Sequence, residues 1–234
     1  MKALVVGGSG SIGQAIVSDL LEQGYEVVLT YHQTPLHTLQ NTFTNQPIQF
    51  IRIDLTQSLE LAHIFENVKN IDVLIYVSGQ SMYGLLQDMT DHQIQNMYQV
   101  HVYQLIKLTQ YFLNQLIQSD QGRLIVISSI WGETGASFET IYSTMKAAQI
   151  GFVKALSEEL ALTRVTVNAI APGIVSGRMT EELDEKDLRA VLESVPQQRL
   201  VTPEEVANAC RYLISPLAKS VTGTVQRING GWYR

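Results

Sequence analysis

Tyr142 and Lys146 stand four residues apart in the run Ile-Tyr-Ser-Thr-Met-Lys-Ala-Ala-Gln-Ile, and Ser129 precedes Tyr142 by thirteen positions. On a helix, residues i and i+4 share a face, so the phenol and the ammonium point into one cleft. A free phenol has a pKa of about 10, and a neighbouring ammonium favours its ionised form and brings that value toward the working range. A hydroxyl donor, a proton-transferring phenol and a cation are the parts needed to interconvert a carbonyl and an alcohol, provided something else carries the hydride. Tyr-x-x-x-Lys arises by chance in many helices, so the surrounding elements decide.

A carrier site is legible at the start of the chain. Val5-Val6-Gly7-Gly8-Ser9-Gly10-Ser11-Ile12-Gly13 leaves a short apolar run and enters an amphipathic stretch. Glycines there permit a tight turn and close approach of a pyrophosphate, and a helix N-terminus offers free N–H groups and a positive dipole end. Gly8, Gly10 and Gly13 alone match G-x-G-x-x-G, a weak signal that its strand-to-helix setting strengthens.

Short runs rich in Val, Ile and Leu alternate with longer amphipathic stretches, the pattern of strands buried on both faces of a parallel sheet. Strands are expected at 2–6, 26–31, 48–53, 73–77, 122–128, 164–171 and 224–228, and helices at 13–23, 58–67, 141–162 and 203–214. The segment 91–119 is long enough for one extended helix or two joined ones. No repeat or Pro/Ser linker divides the chain, so residues 1–234 are expected to form a single domain. The expected fold is α/β: a Rossmann-type doubly wound sheet of about seven parallel strands with helices on both faces.

Composition agrees with a globular protein: 45% of residues are hydrophobic and 16% charged. The net charge of −6 and the lack of a basic stripe argue against a nucleic-acid partner. No apolar run approaches the roughly 20 residues of a membrane helix, and no secretory signal precedes the first glycines. A cytoplasmic protein without a membrane partner is therefore expected. The single cysteine, Cys210, lies in a helical pattern and is expected to be buried. No metal is expected.

The turn, Ser129, Tyr142, Lys146 and the downstream Asn168-Ala169-Ile170-Ala171-Pro172-Gly173 together resemble the short-chain dehydrogenase/reductase family, over the whole chain. The resemblance implies catalysis by Ser129, Tyr142 and Lys146, with His101 at the position of an Asn that holds a proton-relaying water. It implies cofactor contacts from Gly7, Ser9, Gly10, Ser11, Ile12 and Gly13, from Tyr31 and His32 after the second strand, and from Asp54-Leu55 facing adenine. Ser78-Gly79 would line the cofactor, Lys146 would also hold the nicotinamide ribose, and Pro172, Gly173 and Val175 would pass beside the nicotinamide. Asp54 has a second reading, as a turn cap.

Several positions depart from the family pattern. Val6 stands for a Thr, Ser11 for a Gly, Tyr76 and Val77 for two Asn, and Gly177 for a Thr. The second strand ends without the acid that would hold a ribose 2′-hydroxyl, so NADPH is expected, with NADH as the alternative. Gly10 stands where many NADP-using relatives carry Arg.

At a finer level the stretches Ser128 to Ser137 and Thr222 to Tyr233 resemble 3-oxoacyl-acyl-carrier-protein reductases. Within them the chain looks most like reductases of a 5-aminopentanone carried on a lysine of elongation factor P. The carrier of the ketone, acyl carrier protein or elongation factor P, is the difference between these readings. Trp131 and Phe138 flank the site, lining an acyl or alkyl slot or simply packing, and residues 176–200 read as a substrate lid. The family also implies a homotetramer or homodimer. A reading from another class, a nucleotide-sensing regulator without turnover, rests on His101, Val77 and Gly177.

Overall fold

The computed structural model describes residues 1–177, 180 and 184–233. Seven strands, β1 (Lys2–Val6), β2 (Glu26–Tyr31), β3 (Ile48–Arg52), β4 (Val73–Tyr76), β5 (Arg123–Ile127), β6 (Thr166–Pro172) and β7 (Val225–Ile228), make one sheet. Their order is β3-β2-β1-β4-β5-β6-β7, and every neighbouring pair is parallel. Side chains alternate across a strand. Ala3 and Val5 of β1 therefore join one core cluster with Ile16, Leu20 and Leu213, while Leu4 and Val6 join another with Leu108, Phe112 and Val153.

Helices α1 (Ser11–Glu22) and α9 (Pro203–Ile214) supply the first cluster. Helices α5 (Gln104–Gln118) and α7 (Thr140–Glu159) supply the second. Further helices among the described residues are α2 (Leu36–Thr42), α3 (Leu61–Ile64), α4 (Asp91–Tyr98), α6 (Trp131–Thr134) and α8 (Glu185–Ser194). Because β1 lies between β2 and β4, the chain reverses direction across the sheet there. Crevices at such switch points, outside the carboxyl ends of the strands, are where α/β sheets bind ligands.

The expected doubly wound fold is present, with strand limits shifted by a residue or two. The helix expected over 58–67 shrinks to α3, because Phe65 and Val68 turn into the core and Asn70 adopts a left-handed φ of 60°. Cys210 is buried. Within the expected lid, α8 is capped by Asp184, which accepts from the Asp187 N–H at 2.8 Å, and the residues just outside its two ends, Val175 and Val201, are bridged. Residues 178–179 and 181–183 of that segment lie outside the described residues. Among the described residues, no helix is long and apolar enough to cross a membrane.

The segment 91–119 resolves into α4 and α5 joined by a π-helical turn, Gln99–Tyr103. Two consecutive carbonyls of that turn bond to side chains from other elements: Val100 O accepts from the Tyr76 hydroxyl, and His101 O accepts from Gln149 Nε2 at 2.9 Å. A helix whose carbonyls are engaged from outside widens locally, and such π turns gather at functional sites. Tyr76, one of the two residues that depart from the family's Asn pair, thus ties β4 to the helix layer. Burial raises its phenol far above the ordinary value, so it remains a donor. Tyr76→Phe is expected to leave Val100 O unpaired and to lower unfolding free energy by about 1–3 kcal/mol, read as a lower urea midpoint at unchanged slope.

Candidate active site

The reacting side chains meet beyond the carboxyl end of β5. Ser129 lies two residues after that strand and Tyr142 two residues into α7, and the Tyr142 and Ser129 hydroxyls are hydrogen-bonded. The Trp131 N–H donates to Ser129 Oγ at 3.2 Å and fixes its direction. Lys146 is 4% exposed; its Nζ donates to Ile127 O at 2.9 Å and to Gln149 Oε1 at 3.3 Å, and lies 5.6 Å from the centre of the Tyr142 ring. Ser128 Oγ donates to Lys146 O at 3.0 Å, and a Cβ on Gly132 would stand 2.7 Å from the Lys146 carbonyl carbon. Glycine at that position lets α6 lie against α7 beside the lysine.

Electrostatics here differ from the reading of the sequence. Burial lowers Lys146 to about 7. Burial likewise raises the Tyr142 phenol well above its ordinary value, opposed by the Ser129 hydrogen bond and reinforced by the charges of Glu139 and Tyr83. Burial is the first cause at both groups, and Lys146 is not among the charges acting on the phenol, so in the protein alone desolvation sets the direction. Tyr142 therefore stays protonated at neutral pH, the state that donates to a carbonyl oxygen.

His101 is fully buried, with its ring edge-on to Tyr142 at 5.7 Å. Its Nε2 lies 3.1 Å from Gln80 N and 3.0 Å from Gln80 O, and a neutral imidazole serves one of these at a time. Burial first, then the charge of Lys146, lowers its pKa to about 3, against the Gln80 bond. The imidazole does not titrate near neutrality, contrary to the expectation from its residue type. Its link to Lys146 runs through the main chain: the Gln149 amide accepts from Lys146 and donates to His101 O. Gln149, 0% exposed, was missed in the sequence, although it lies three residues past Lys146 on the same helical face.

The turn fits a phosphate. Gly7 has φ 88°, and a Cβ there would lie 2.4 Å from Ser78 Oγ; one on Gly13 would lie 2.5 Å from Gly7 O. A Cβ on Gly10 would meet nothing closer than 3.9 Å, so the outer face is open, and no side chain caps α1. The first N–H groups of a helix left without caps are an anion site. Ser9 O accepts from Gln14 Nε2 at 2.8 Å, and Ile12 packs on the core. The hydroxyl missing at Val6 is replaced from β2, where Thr30 Oγ1 accepts from the Gly7 N–H at 3.0 Å. Two other departures meet in space: a Cβ on Gly177, whose φ is 147°, would fall 2.4 Å from Ser11 Oγ.

Around this turn, Ser78 N donates to Val6 O at 3.0 Å, and a Cβ on Gly79 would stand 2.9 Å from His101 Cε1 and 3.5 Å from Lys146 Nζ. Pro172 O accepts from the Ile130 N–H at 3.1 Å and Gly173 N donates to Ile228 O at 2.9 Å, which brings the end of β6 beside Ser129. Tyr31 and Leu55 are buried in the core clusters and present main chain rather than side chain. Asp54 divides its oxygens: Oδ1 accepts from Thr56 N and Oγ1, a turn cap, while Oδ2 lies 3.6 Å from His32 Nε2. Arg52, invisible as a site residue because it completes a strand pattern, donates from Nε to His32 O at 3.2 Å and brings a guanidinium to the end of β2. Among the described residues, no group of His, Cys, Asp and Glu is placed to hold a metal.

The family described as enoyl-(acyl carrier protein) reductase matches residues 7–233. The chain belongs to the short-chain dehydrogenase/reductases. An oxidoreductase of Bacillus subtilis (strain 168), YmfI, is 35% identical, with 99% of this chain and 98% of that protein covered. The 3-oxoacyl-[acyl-carrier-protein] reductase FabG of Vibrio cholerae is 31% identical over 99% of this chain and 96% of its own. Among solved structures, a variant of the actinorhodin polyketide ketoreductase with NADPH superimposes with a TM-score of 0.90 at 28% identity, covering 99% of this chain and 96% of that one. This protein is accordingly an oxidoreductase of carbonyl and alcohol groups, from a family that binds NAD(P).

The free enzyme's kcat/KM reports groups that titrate before substrate binds. Lys146 is a cation only below about 7, so carbonyl-reducing kcat/KM is expected to fall as pH rises through that value. His101, already neutral there, does not contribute, and His101→Asn is expected to keep the inflection. Its disappearance in that variant, measured from about pH 5.5 to 8.5, would assign the titration to the histidine.

Proposed function

We propose that the protein reduces a ketone to an alcohol with NADPH. The observation that carries this is a protonated, half-buried Tyr142 hydrogen-bonded to Ser129, with Lys146 fixed 5.6 Å from its ring. Gly7, Ser9, Gly10, Ser11, Ile12 and Gly13 would hold the pyrophosphate; Asp54, Leu55, Tyr31 and His32 would border the adenosine. Ser78, Gly79, Pro172, Gly173 and Val175 would border the nicotinamide half. The nicotinamide, when bound, supplies the hydride to the carbonyl carbon.

Ser129 orients the carbonyl oxygen, and Tyr142 gives its phenolic proton to that oxygen as the carbon–oxygen double bond becomes single. The charge left on the phenolate is met by the Lys146 ammonium and the Ser129 hydroxyl. Lys146 would also hold the nicotinamide ribose. His101 contributes through its carbonyl, which anchors Gln149, and through the edge it presents to Tyr142. Intact proton-transfer groups favour turnover over a purely sensing role.

NADPH is favoured over NADH because β2 ends in Thr30-Tyr31-His32, without an acid to repel a 2′-phosphate, and because Arg52 stands beside that end. The substrate reading follows the likeness to FabG: a 3-oxoacyl group on acyl carrier protein. A second reading, the 5-aminopentanone on elongation factor P, is favoured by the half-buried Glu139 next to Tyr142. The whole chain acts as one dinucleotide-binding unit with the segment around α8 as its lid. Exposed Tyr98, Tyr103, Ile106, Tyr111 and Ile117 along α4 and α5 suit packing against further copies in a homodimer or homotetramer.

Tyr142→Phe is expected to lower NADPH oxidation with an activated ketone by about 100-fold or more; equal rates for the two proteins would remove proton transfer by Tyr142. Arg52→Glu is expected to lower the ratio of kcat/KM for NADPH over NADH by about ten-fold or more, since a charge-assisted phosphate contact is replaced by repulsion. An unchanged ratio places the phosphate recognition elsewhere.

A further inference from the structure

Gln149 is wholly buried and makes two bonds of opposite polarity. Its Oε1 accepts from Lys146 Nζ at 3.3 Å, and its Nε2 donates to His101 O at 2.9 Å. Turning the amide over would set its NH2 group against an ammonium and its oxygen against a carbonyl, so the two partners hold a single orientation between them. His101 O is itself held in place. It belongs to the π turn Gln99–Tyr103, whose preceding carbonyl, Val100 O, accepts from the Tyr76 hydroxyl. One amide therefore ties the amine to β4 by way of the helix layer, while its other acceptor, Ile127 O at 2.9 Å, ends β5.

All of these acceptors are neutral. Lys146 forms no ion pair among the described residues. The titratable groups near it are the Tyr142 phenol, one turn earlier on α7, and the His101 imidazole on the π turn; Glu139 and Tyr83 act on Tyr142. The loop after β4 brings only Gly79, where an added Cβ would stand 3.5 Å from Nζ. A carboxylate at the place of the Gln149 amide would pair the cation before any substrate arrived. The amide orients the amine and leaves its charge free. During reduction that charge is needed at one place, the phenolate left when Tyr142 gives up its proton.

We propose that Gln149 is a positioning residue of the reaction: anchored on the π turn, its amide holds the Lys146 amine beside Tyr142 and leaves the ammonium's charge uncompensated for the phenolate. This rests on the reductase reading and deepens it. A lysine lowered to about 7 by burial accords with acceptors that are dipoles alone.

Two substitutions of similar size pull the site in opposite directions. Gln149→Glu gives the amine a carboxylate, and Gln149→Met removes its acceptor. The inflection near 7 in kcat/KM for ketone reduction is expected to rise by about one pH unit or more in Gln149→Glu, as beside an opposite charge. In Gln149→Met it is expected to fall by about one unit, as for a lost bond to a charged group. At about pH 6, where Lys146 is a cation in wild type and in Gln149→Glu alike, kcat is expected to drop about ten-fold or more in Gln149→Glu, although its lysine is the more tightly held. General loosening of the fold lowers activity without moving the inflection both ways. An inflection that keeps its wild-type position in both variants, or a kcat in Gln149→Glu equal to that of wild type, overturns the proposal.

The titration of Lys146 gives a reading independent of turnover. With lysine isotope-labelled at Cε, the Lys146 resonance, assigned by its loss in Lys146→Met, is expected to titrate near 7 in wild type, higher in Gln149→Glu and lower in Gln149→Met. Gln149→Glu, which keeps the native shape, carries this test by itself where Gln149→Met fails to fold. If no ketone is reduced but these shifts are seen, the reductase reading fails and the holding of Lys146 by Gln149 stands. Reduction by the wild type, with a lysine titration indifferent to the substitutions, removes the role of Gln149 and leaves the reductase reading in place.

Discussion

A buried ammonium must be held somewhere, and the location of Lys146 organises this site. Removing such a charge from water costs several kcal/mol even after relaxation. Its two protein acceptors are neutral, the Ile127 carbonyl and the Gln149 amide. With dipoles rather than a carboxylate to meet it, the proton is weakly held and the pKa falls to about 7. Each acceptor must itself be fixed. Ile127 is fixed by the end of β5, and Gln149 by its second bond to His101 O, which belongs to the π turn that Tyr76 grips from β4. The chain of contacts runs from the central strands through the helix layer to the reacting amine.

That architecture was legible in outline because its signals are periodic. Seven apolar runs, the glycine turn leading into α1 and the i, i+4 pair on α7 all follow from spacing and residue type. Contacts between distant segments have no periodic signal. Gln149 reads as one more polar residue on a helix, Arg52 as the end of a strand, and Thr30 as a β-branched strand former. The π turn was hidden in an otherwise regular helical pattern because its cause lies outside it, in two side chains that engage its carbonyls. The pKa values were misread for a related reason: spacing shows that two charges are near, but their desolvation is a property of everything packed around them.

The departures from the family pattern turn out to be offset by partners elsewhere. Val6 lacks a hydroxyl, and Thr30 on the neighbouring strand supplies an acceptor to Gly7. Gly177 lacks a side chain, and Ser11 occupies the space a Cβ there would need. Tyr76 lacks an amide, and its longer side chain reaches the π turn with a hydroxyl. Taken singly, these positions suggest a decayed nucleotide site. Taken as contacts, they describe a site whose hydrogen bonds and volume have been redistributed, which keeps the cradle closed where it must be and open beside Gly10.

Chemistry common to a family resides in groups that touch the reacting atoms, so Ser129, Tyr142 and Lys146 cannot distinguish one ketone from another. Selectivity has to come from groups that meet the rest of the substrate, where a paired charge discriminates more sharply than an added methylene. Within the shared machinery the surroundings still differ: Glu139, half-buried at the start of α7, adds its charge to the burial that keeps the Tyr142 phenol protonated. The protonation state that the reaction needs thus depends in part on a side chain that neither the glycine turn nor the Tyr-x-x-x-Lys spacing reveals.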